Sequence, residues 1–553
     1  MAPVRFRLAA ALSVLLIAAP AGLAARLTGT SRADHLVGTA NADTIDGRAG
    51  NDNITGLGGN DLLIGGLGLD RLTGGPGNDS ITVNSDAARD TVSCGGGLDT
   101  VTADPGDSVA RDCEVTSRQL STDTLAAGDG QHATEVEPDS FAFGNMIVAA
   151  FQVGRIETGG AMAIGVATSS DGARHWRSGL LPGVTSDSPQ PGVDPRASDP
   201  SVGFDAEHGV WLVASLGIAT DHFELLVSRS PNGISWSAPV SARRANAGSL
   251  DKEWVACDNW SSSPNRGHCY LSYLDLSTGL IVTQTSIDGG LTWSHAATTS
   301  TAAPLGEEPN GAQPLPRPDG SLTVVYAVGA AEEDDYTGAE AFRAAEPAEV
   351  LAATSTDGGA SFSHDVQVAD LTAAAVPDLR APPLPSADVA PNGQLFVAWQ
   401  DCRFAEDCAH NRIVLSTSAD GTTWTSPAPL PSSGAATTQF VPGLAADPTR
   451  PGAGKRVAVV YYSLAVTCPT GTACPQIDAW LATSVNGGAG WGAPRRLDAQ
   501  PMQLTWLPRA GGRFLGDYLS TSFVGGRPVP VFALAVAPWG GKLREAIMAL
   551  QPG

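Results

Sequence analysis

Six aspartates recur nine residues apart: Asp34, Asp43, Asp52, Asp61, Asp70 and Asp79. Five residues before each stands a glycine (Gly29, Gly38, Gly47, Gly56, Gly65, Gly74), and two residues after each stands Leu or Ile (Leu36, Ile45, Ile54, Leu63, Leu72, Ile81). A carboxylate is a hard oxygen donor, and a glycine turn offers backbone carbonyls beside it. Together these are the ligand set of Ca²⁺. Glycine permits the positive-φ turn, and the aliphatic residue at fixed phase points into a thin core. Each nonapeptide therefore reads as a turn plus a short strand; a flexible linker would not need that aliphatic residue. After Val83 the register slips by two residues and resumes with Asp90 and Asp99. All eight aspartates are candidate Ca²⁺ ligands. Arg32 and Asn41 stand where later rows carry Gly50, Gly59, Gly68 and Gly77, which weakens the first two rows as sites.

These rows resemble the glycine-rich nonapeptide repeats of RTX proteins. The resemblance implies a parallel β-roll in which Ca²⁺ sits between stacked turns and alternate rows share a side. Asp34, Asp52 and Asp70 would then line one edge, and Asp43, Asp61 and Asp79 the other. The array lies near the N-terminus, so calcium binding is implied and toxin activity is not.

A second motif follows. SIDGGLTW (286–293), STDGGASF (355–362) and SVNGGAGW (484–491) share one pattern, with SSDGARHW (169–176), SPNGISW (230–236) and SADGTTW (418–424) as variants. Its Asp or Asn can accept backbone N–H groups inside its own turn, Gly takes the positive-φ position, and the aromatic residue packs the turn down. The motif resembles the Asp-box, or BNR repeat, of sialidases and other β-propellers. Its role there is structural, so it speaks for fold and not for catalysis. Two apolar strands precede each box, for example VWLVASLG and ELLVSRS. Each unit reads as a four-stranded meander. The expected fold is all-β: a short parallel β-roll followed by a seven-bladed β-propeller of sialidase-like type, with six blades as the alternative. A C-terminal unit without a box would be completed by a strand from residues 120–135.

In such meanders the boxes lie on one face. The elaborated loops, including the acidic 330–349 stretch with Glu332, Glu333, Asp334 and Asp335, lie on the other, where a ligand would bind. Arg155, Arg196, Arg380, Arg403 and Arg513 belong to that face. A sialidase, as the resemblance implies, would need three arginines around the substrate carboxylate, a Tyr nucleophile with a Glu partner, and an Asp acid/base. The Arg-Ile-Pro motif of that family is absent from the first unit. The candidate catalytic residues are Asp199, Asp251, Asp401, Arg403, Asp517 and Tyr518: carboxylates for proton transfer, Arg for an anion, Tyr as nucleophile. Against this stands the plain reading that Asp199 and Asp517 cap strands and the others form ion pairs.

The chain has 553 residues with 64 Gly and 39 Pro, a composition suited to short strands and tight turns. Its net charge of −24 argues against nucleic acid and anionic lipid as partners. Arg5 and Arg7, an apolar Leu8–Ala19, and Gly22-Leu23-Ala24 read as a cleavable signal peptide over 1–25, predicting a secreted, extracellular protein without a membrane span. The eight cysteines fall into four local pairs (94/113, 257/269, 402/408, 468/474), which suits export. The expected organisation is roll 26–113, linker or closing strand 114–135, and propeller 136–553. The expected cofactor is Ca²⁺, the partner a carbohydrate or cell-surface ligand, and the state a monomer. Ligand binding without chemistry is the leading expectation, exo-α-sialidase activity the alternative, and a purely structural or adhesive module the third.

Overall fold

The computed structural model describes residues 15–18, 23–84, 86, 88–125, 128–301, 303, 307–330, 348–434, 437–449, 456–465, 474–538 and 540–551. Regular structure among them is almost all strand, with helical turns at Glu406–Cys408 and Leu504–Trp506. No helix among the described residues is long and apolar enough to cross a membrane. The acidic stretch with Glu332 to Asp335 lies outside the described residues, as does Cys468. The chain divides into two compact units, residues 1–118 and 119–552.

The first unit is a roll built as the nine-residue period dictates. One parallel sheet holds Arg26–Thr28, Thr44–Asp46, Leu62–Ile64, Ser80–Val83 and Thr100–Ala103. The other holds Asp34–Val37, Asn53–Thr55, Arg71–Pro76, Thr91–Gly96 and Ser108–Val109. Neighbouring strands of a sheet are thus two rows apart. Leu36, Ile45, Ile54, Leu63, Leu72 and Ile81 fill the space between the sheets, continued by Val92 and Val101. The two-residue slip after Val83 leaves the stack intact: Arg71 pairs with Thr91 and Ser80 with Thr100, so the extra residues are absorbed before the next strand begins. The roll also runs past residue 113, because Val115 to Arg118 pair in parallel with Thr100 to Ala103. A linker therefore does not begin at 114. Cys94 and Cys113 form a disulfide at this end. Leu15–Ala18, within the expected signal segment, lies parallel to Asp34–Val37; the rest of residues 1–22 lie outside the described ones.

The second unit is a ring of antiparallel meanders. Their first strands are Glu135–Phe143, Arg196–Asp205, Leu250–Cys257, Glu307–Pro316, Ser386–Val389, Thr437–Ala446 and Ser520–Val524. Successive first strands touch, and Ser520–Val524 returns to Glu135–Phe143, which closes the ring. The ring of radial meanders defines a β-propeller. The first five meanders carry four strands each, and the sixth carries five, because Arg495–Arg496 and Met502–Gln503 both pair with Gln476–Ser484. In the last, Arg527–Ala535 and Glu545–Gln551 follow the first strand. The chain leaving residue 119 runs along this edge: Leu120 N–H donates to the Ile547 carbonyl (2.8 Å) and Glu545 N–H to that of Ala133 (3.0 Å). Strands are apolar on both faces because each sheet is covered on both sides; Ala161–Ser169 is buried throughout.

The boxes do what their residue types predict. The Asp288 carboxylate accepts the N–H groups of Leu291 (3.0 Å) and Thr292 (2.9 Å), and the Ser286 hydroxyl accepts that of Gly290 (2.9 Å). Partial burial opposes ionisation of Asp288, but the Thr292 bonds prevail and hold its carboxyl at about 2. The aromatic residues pack against the core of the preceding meander, as Trp236 does beside Val148 and Ile164. Two further local disulfides, Cys257–Cys269 and Cys402–Cys408, pin loops of this unit.

A feature not read from the sequence sets the centre of the ring. Five first strands break register at one position, as between Val136 and Asp139 or Asp251 and Trp254. At the break φ is positive: Glu137 (52°), Asp199 (48°), Lys252 (49°), Gly311 (69°) and Val441 (49°). Two residues after three of these kinks, and at the matching position of two further first strands, a polar side chain locks the next meander. Asp139 accepts Val202 N–H (2.7 Å), Ser201 accepts Val255 (3.0 Å), Gln313 accepts Ala387 (2.7 Å) and Ser386 accepts Leu444 (2.9 Å). Ser520 completes the circuit on Ser140 (2.9 Å). Positive φ in a non-glycine residue costs about 1–3 kcal/mol and persists only where the surroundings impose it. At Glu137 and Asp199 the lock imposes it, and the kinks bring the side chains of residues 137, 199 and 252 into one central cluster.

Candidate functional site

In the roll, the repeated aspartates form two vertical ladders. Asp34 N–H donates to Asp52 Oδ1 (2.8 Å), Asp52 N–H to Asp70 Oδ1 (2.8 Å), and Asp70 N–H to Asp90 Oδ1 (2.7 Å). On the other edge Asp43, Asp61, Asp79 and Asp99 repeat the pattern at 2.8–2.9 Å. The ladders continue onto Asp107 and Glu114, which receive the N–H groups of Asp90 and Asp99 (2.9 Å each). The nine-residue spacing fails at those last two rungs, so the period does not reveal them.

One oxygen per carboxylate is thereby used. The other, Oδ2 of Asp52, Asp61, Asp70, Asp79, Asp90 and Asp99, is buried with no hydrogen-bond partner. It sits against the glycine that opens its row: a Cβ on Gly56 would come 2.1 Å from Asp61 Oδ2, and one on Gly74 2.2 Å from Asp79 Oδ2. Burial, with neighbouring carboxylates adding to it, pushes Asp52, Asp61 and Asp79 up to about 6 and Asp70 and Asp90 to about 7. A row of buried, partnerless, mutually repelling oxygens fits a hard divalent cation. The first two rows differ. Asp34 Oδ2 accepts Thr30 N–H (2.6 Å) and its hydroxyl (2.9 Å), and Asp43 Oδ2 accepts Thr39 N–H (2.5 Å). Thr30 and Thr39 thus take the place a cation would hold, and Asp34 and Asp43 act as the start of the ladders.

In the propeller, the kinks assemble a dense ion cluster. Lys252 Nζ lies 2.7 Å from Asp517, 2.8 Å from Asp199 and 3.2 Å from Glu137. Arg380 holds Asp517 through Nη2 (2.7 Å) and Nε (3.2 Å). Arg155 lies 3.9 Å from Glu137 and donates to Gln152 (2.7 Å), which itself bonds Glu137. The two guanidinium groups sit over the Phe514 ring, at 4.7 and 5.3 Å from its centroid. Burial works against the Asp517 charge, but Arg380 and Lys252 override it and hold the carboxyl well below the carboxylate range. Tyr518 packs edge-on to Trp254 (5.2 Å) beneath Lys252, and its hydroxyl donates to the Pro200 carbonyl (3.2 Å). Burial, then the surrounding carboxylates, pushes this phenol well above its ordinary value.

Two openings meet at this cluster. A cleft of about 500 Å³ is lined by Asp251, Lys252, Asn310, Arg380, Leu384 and Asp517. A second, about 310 Å³, is lined among others by Asp199, Glu253, Trp254, Gln313 and Tyr518. Both carboxyl oxygens of Glu253 are buried without a hydrogen-bond partner. Burial, reinforced by Asp199, pushes this carboxyl well above the ordinary carboxylate range.

Of the sequence candidates, Asp199, Asp251, Asp517 and Tyr518 come together here. Asp401 and Arg403 do not. Arg403 forks onto Asp401 (2.8 and 2.7 Å) and reaches the Asp370 carbonyl on the outer strand Val366–Leu371 of the preceding meander. Asp401 also accepts Trp399 Nε1–H (3.0 Å), so this pair is a structural brace. Arg196 and Arg513 bond backbone carbonyls. Glu137, Lys252 and Glu253 were not anticipated; the Glu-Pro-Asp, Asp-Pro-Ser, Leu-Pro-Ser and Val-Pro-Gly triplets at 137, 199, 384 and 441 were the available signal.

The RTX calcium-binding nonapeptide repeat (four copies) matches residues 28–63, 55–92 and 64–101. The N-terminal region therefore contains RTX calcium-binding repeats. No curated protein matches the chain in sequence. Among solved structures, a PL25 ulvan lyase is similar at TM-score 0.46 and 11% identity, over 78% of this chain and 94% of that one. The α-L-arabinofuranosidase Arb93A of Fusarium graminearum is similar at TM-score 0.40 and 14% identity, over 68% and 98%. The intramolecular trans-sialidase of Ruminococcus gnavus is similar at TM-score 0.41 and 12% identity, over 62% and 92%.

Proposed function

We propose that this is an exported calcium-binding protein whose seven-bladed propeller binds a hydroxyl-rich ligand of carbohydrate class at its centre, without cleaving it. The observation that carries the ligand reading is the second opening. The rings of Trp254 and Tyr518 line it beside Glu253, whose carboxyl oxygens lack partners, and the Gln313 amide. Flat apolar rings beside hydrogen-bonding groups suit the faces and hydroxyls of a sugar. Ca²⁺ would be held in the roll by Asp52, Asp61, Asp70, Asp79, Asp90 and Asp99, and would supply the charge those buried oxygens lack. The seven-blade count rests on the ring of seven first strands, with Leu120 and Ala133 bonded to the outer strand of the last meander.

Weighing against the sialidase alternative, each central guanidinium already faces a carboxylate: Arg155 faces Glu137 and Arg380 grips Asp517. A substrate carboxylate would have to displace them. The test is calorimetric titration of the Ca²⁺-loaded chain with neutral, uronic and sialylated oligosaccharides, beside a fluorogenic sialoside assay. Saturable binding of a neutral glycan that Glu253→Ala weakens, without sialoside turnover, is expected. Turnover lost in Tyr518→Phe would overturn the proposal in favour of hydrolysis.

A further inference from the structure

Away from the central cluster, three side chains of the second meander converge. His222 opens the strand His222–Ser230, Glu224 lies two residues along it on the same face, and Asp194 ends the loop before Arg196–Asp205. One ligand atom from each lies within 4.8 Å of the others, and all three residues are buried. His222 Nε2 is 2.8 Å from Asp194 Oδ1. Yet neither atom makes a hydrogen bond, and Asp194 Oδ2 also lacks a partner, although Asp194 is only 1% exposed. The approach is close, but the ring N–H direction does not serve it.

The surroundings hold this carboxylate in place. Asp194 is fixed through its backbone, which pairs with Thr185 and accepts Ser186 N–H (2.8 Å). Its side chain enters space left by a missing Cβ: a Cβ on Gly217 would come 2.3 Å from Asp194 Oδ2. On the far side of the ring, His222 Nδ1 lies 2.8 Å from Asp221 Oδ1 and 3.0 Å from Arg244 Nη2, and Arg244 Nη1 lies 3.5 Å from Glu224. With the donor-only Arg244 drawn off Nδ1 onto Glu224, a proton on Nδ1 directed to Asp221 leaves the Nε2 lone pair facing Asp194, the carboxylate–histidine arrangement that orients metal-binding imidazoles.

We propose that Asp194, His222 Nε2 and Glu224 bind one divalent transition-metal cation of the Zn²⁺ class. Two carboxylates and a neutral imidazole neutralise a 2+ ion and supply the mixed N/O set such ions take, with a fourth position left open. The all-oxygen ladders of the roll suit Ca²⁺ instead, so the protein carries two kinds of metal site. This one ties the loop ending at Asp194 to the third strand of its meander.

The test uses the full chain, stripped of metal and then saturated with Ca²⁺. Titration with Zn²⁺, read by calorimetry and by elemental analysis after gel filtration, is expected to give one tight equivalent beyond Ca²⁺. Co²⁺ is expected to produce visible d–d absorption with the same stoichiometry. His222→Gln and Asp194→Asn should each weaken Zn²⁺ binding by at least about 100-fold, while Glu224→Gln should weaken it by about 10-fold or more. The propeller melting transition in Ca²⁺ alone checks that each variant is folded, and wild-type Co²⁺ absorption provides a readout that needs no variant. Absence of a stoichiometric Zn²⁺ equivalent in the folded wild type overturns the proposal in favour of an imidazolium bridging Asp194 and Asp221. Zn²⁺ binding of equal strength in the folded His222 and Asp194 variants overturns it as well.

Discussion

Asp52 and Asp70 stand one above the other in the roll, the N–H of Asp52 donating to Asp70 Oδ1 at 2.8 Å while Asp70 Oδ2 remains buried and partnerless. Half of each carboxylate builds the stack and the other half is left for an ion. A cation held there would stabilise the folded roll over the unfolded chain.

The pH dependence of the roll without Ca²⁺ follows from this. Asp70 and Asp90 titrate at about 7 and Asp52, Asp61 and Asp79 at about 6 in the folded roll, against roughly 3.9 in an unfolded chain. Between those values the folded state holds more protons, so stability is full below about pH 4 and falls as pH rises through 6–7. Circular dichroism melts of the chain in chelator, from pH 4.5 to 8, should show the roll's transition moving down as pH rises. Saturating Ca²⁺ should reverse that trend, and its binding at pH 6 should release protons into a weakly buffered solution. A roll whose chelated melt is flat across this range would contradict the assignment.

The rows should differ in their response to loss of charge. Asp70→Asn keeps an acceptor for Asp52 N–H but removes a charge from the cation edge. It should lower the number of bound Ca²⁺ or weaken binding by on the order of tenfold. Asp43→Asn should do far less, because Thr39 already occupies Asp43 Oδ2. Ca²⁺ titration of the two variants side by side checks the order.

Lys252 holds three carboxylates together, and its removal should be costly. Lys252→Met would leave Glu137, Asp199 and Asp517 buried without their shared cation, a loss of about 3–5 kcal/mol. The propeller transition in scanning calorimetry should drop accordingly, and the loss should shrink at lower pH as the freed carboxylates take protons. The roll's Ca²⁺ titration should be unchanged.

An Asp-box variant provides the contrast. Asp288→Ala removes bonds to Leu291 and Thr292 in an exposed turn. It should cost about 1 kcal/mol of propeller stability and leave binding at the central clefts unaltered, measured by denaturant melts and ligand titration.

The nonapeptide ladder and the boxes were legible in the residues because their physics is local. A row's turn, strand and core residue lie within nine positions, and each rung repeats two rows away, so periodicity alone places Asp52 over Asp70. A box closes its bonds within four residues, as Asp288 does with Thr292. Asp401 and Arg403 looked like an axial pair because sequence placed them in an elaborated loop. Their fork-like contact two residues apart turned them into a brace.

What only the tertiary structure decided is the centre of the propeller. Lys252 meets Glu137 and Asp517 across 115 and 265 residues, and no pattern within a single meander announces that meeting. It arises because ring closure brings the kinked first strands side by side, with Glu137, Asp199 and Lys252 at positive φ and the first two held there by the locks at Asp139 and Ser201. The amino-acid sequence by itself determined the repeating units and their local bonds. Charge pairing at the axis, and with it the neutralisation of Arg155 and Arg380, depends on how many meanders close the ring and in what order. That is a long-range constraint that local residue chemistry does not encode.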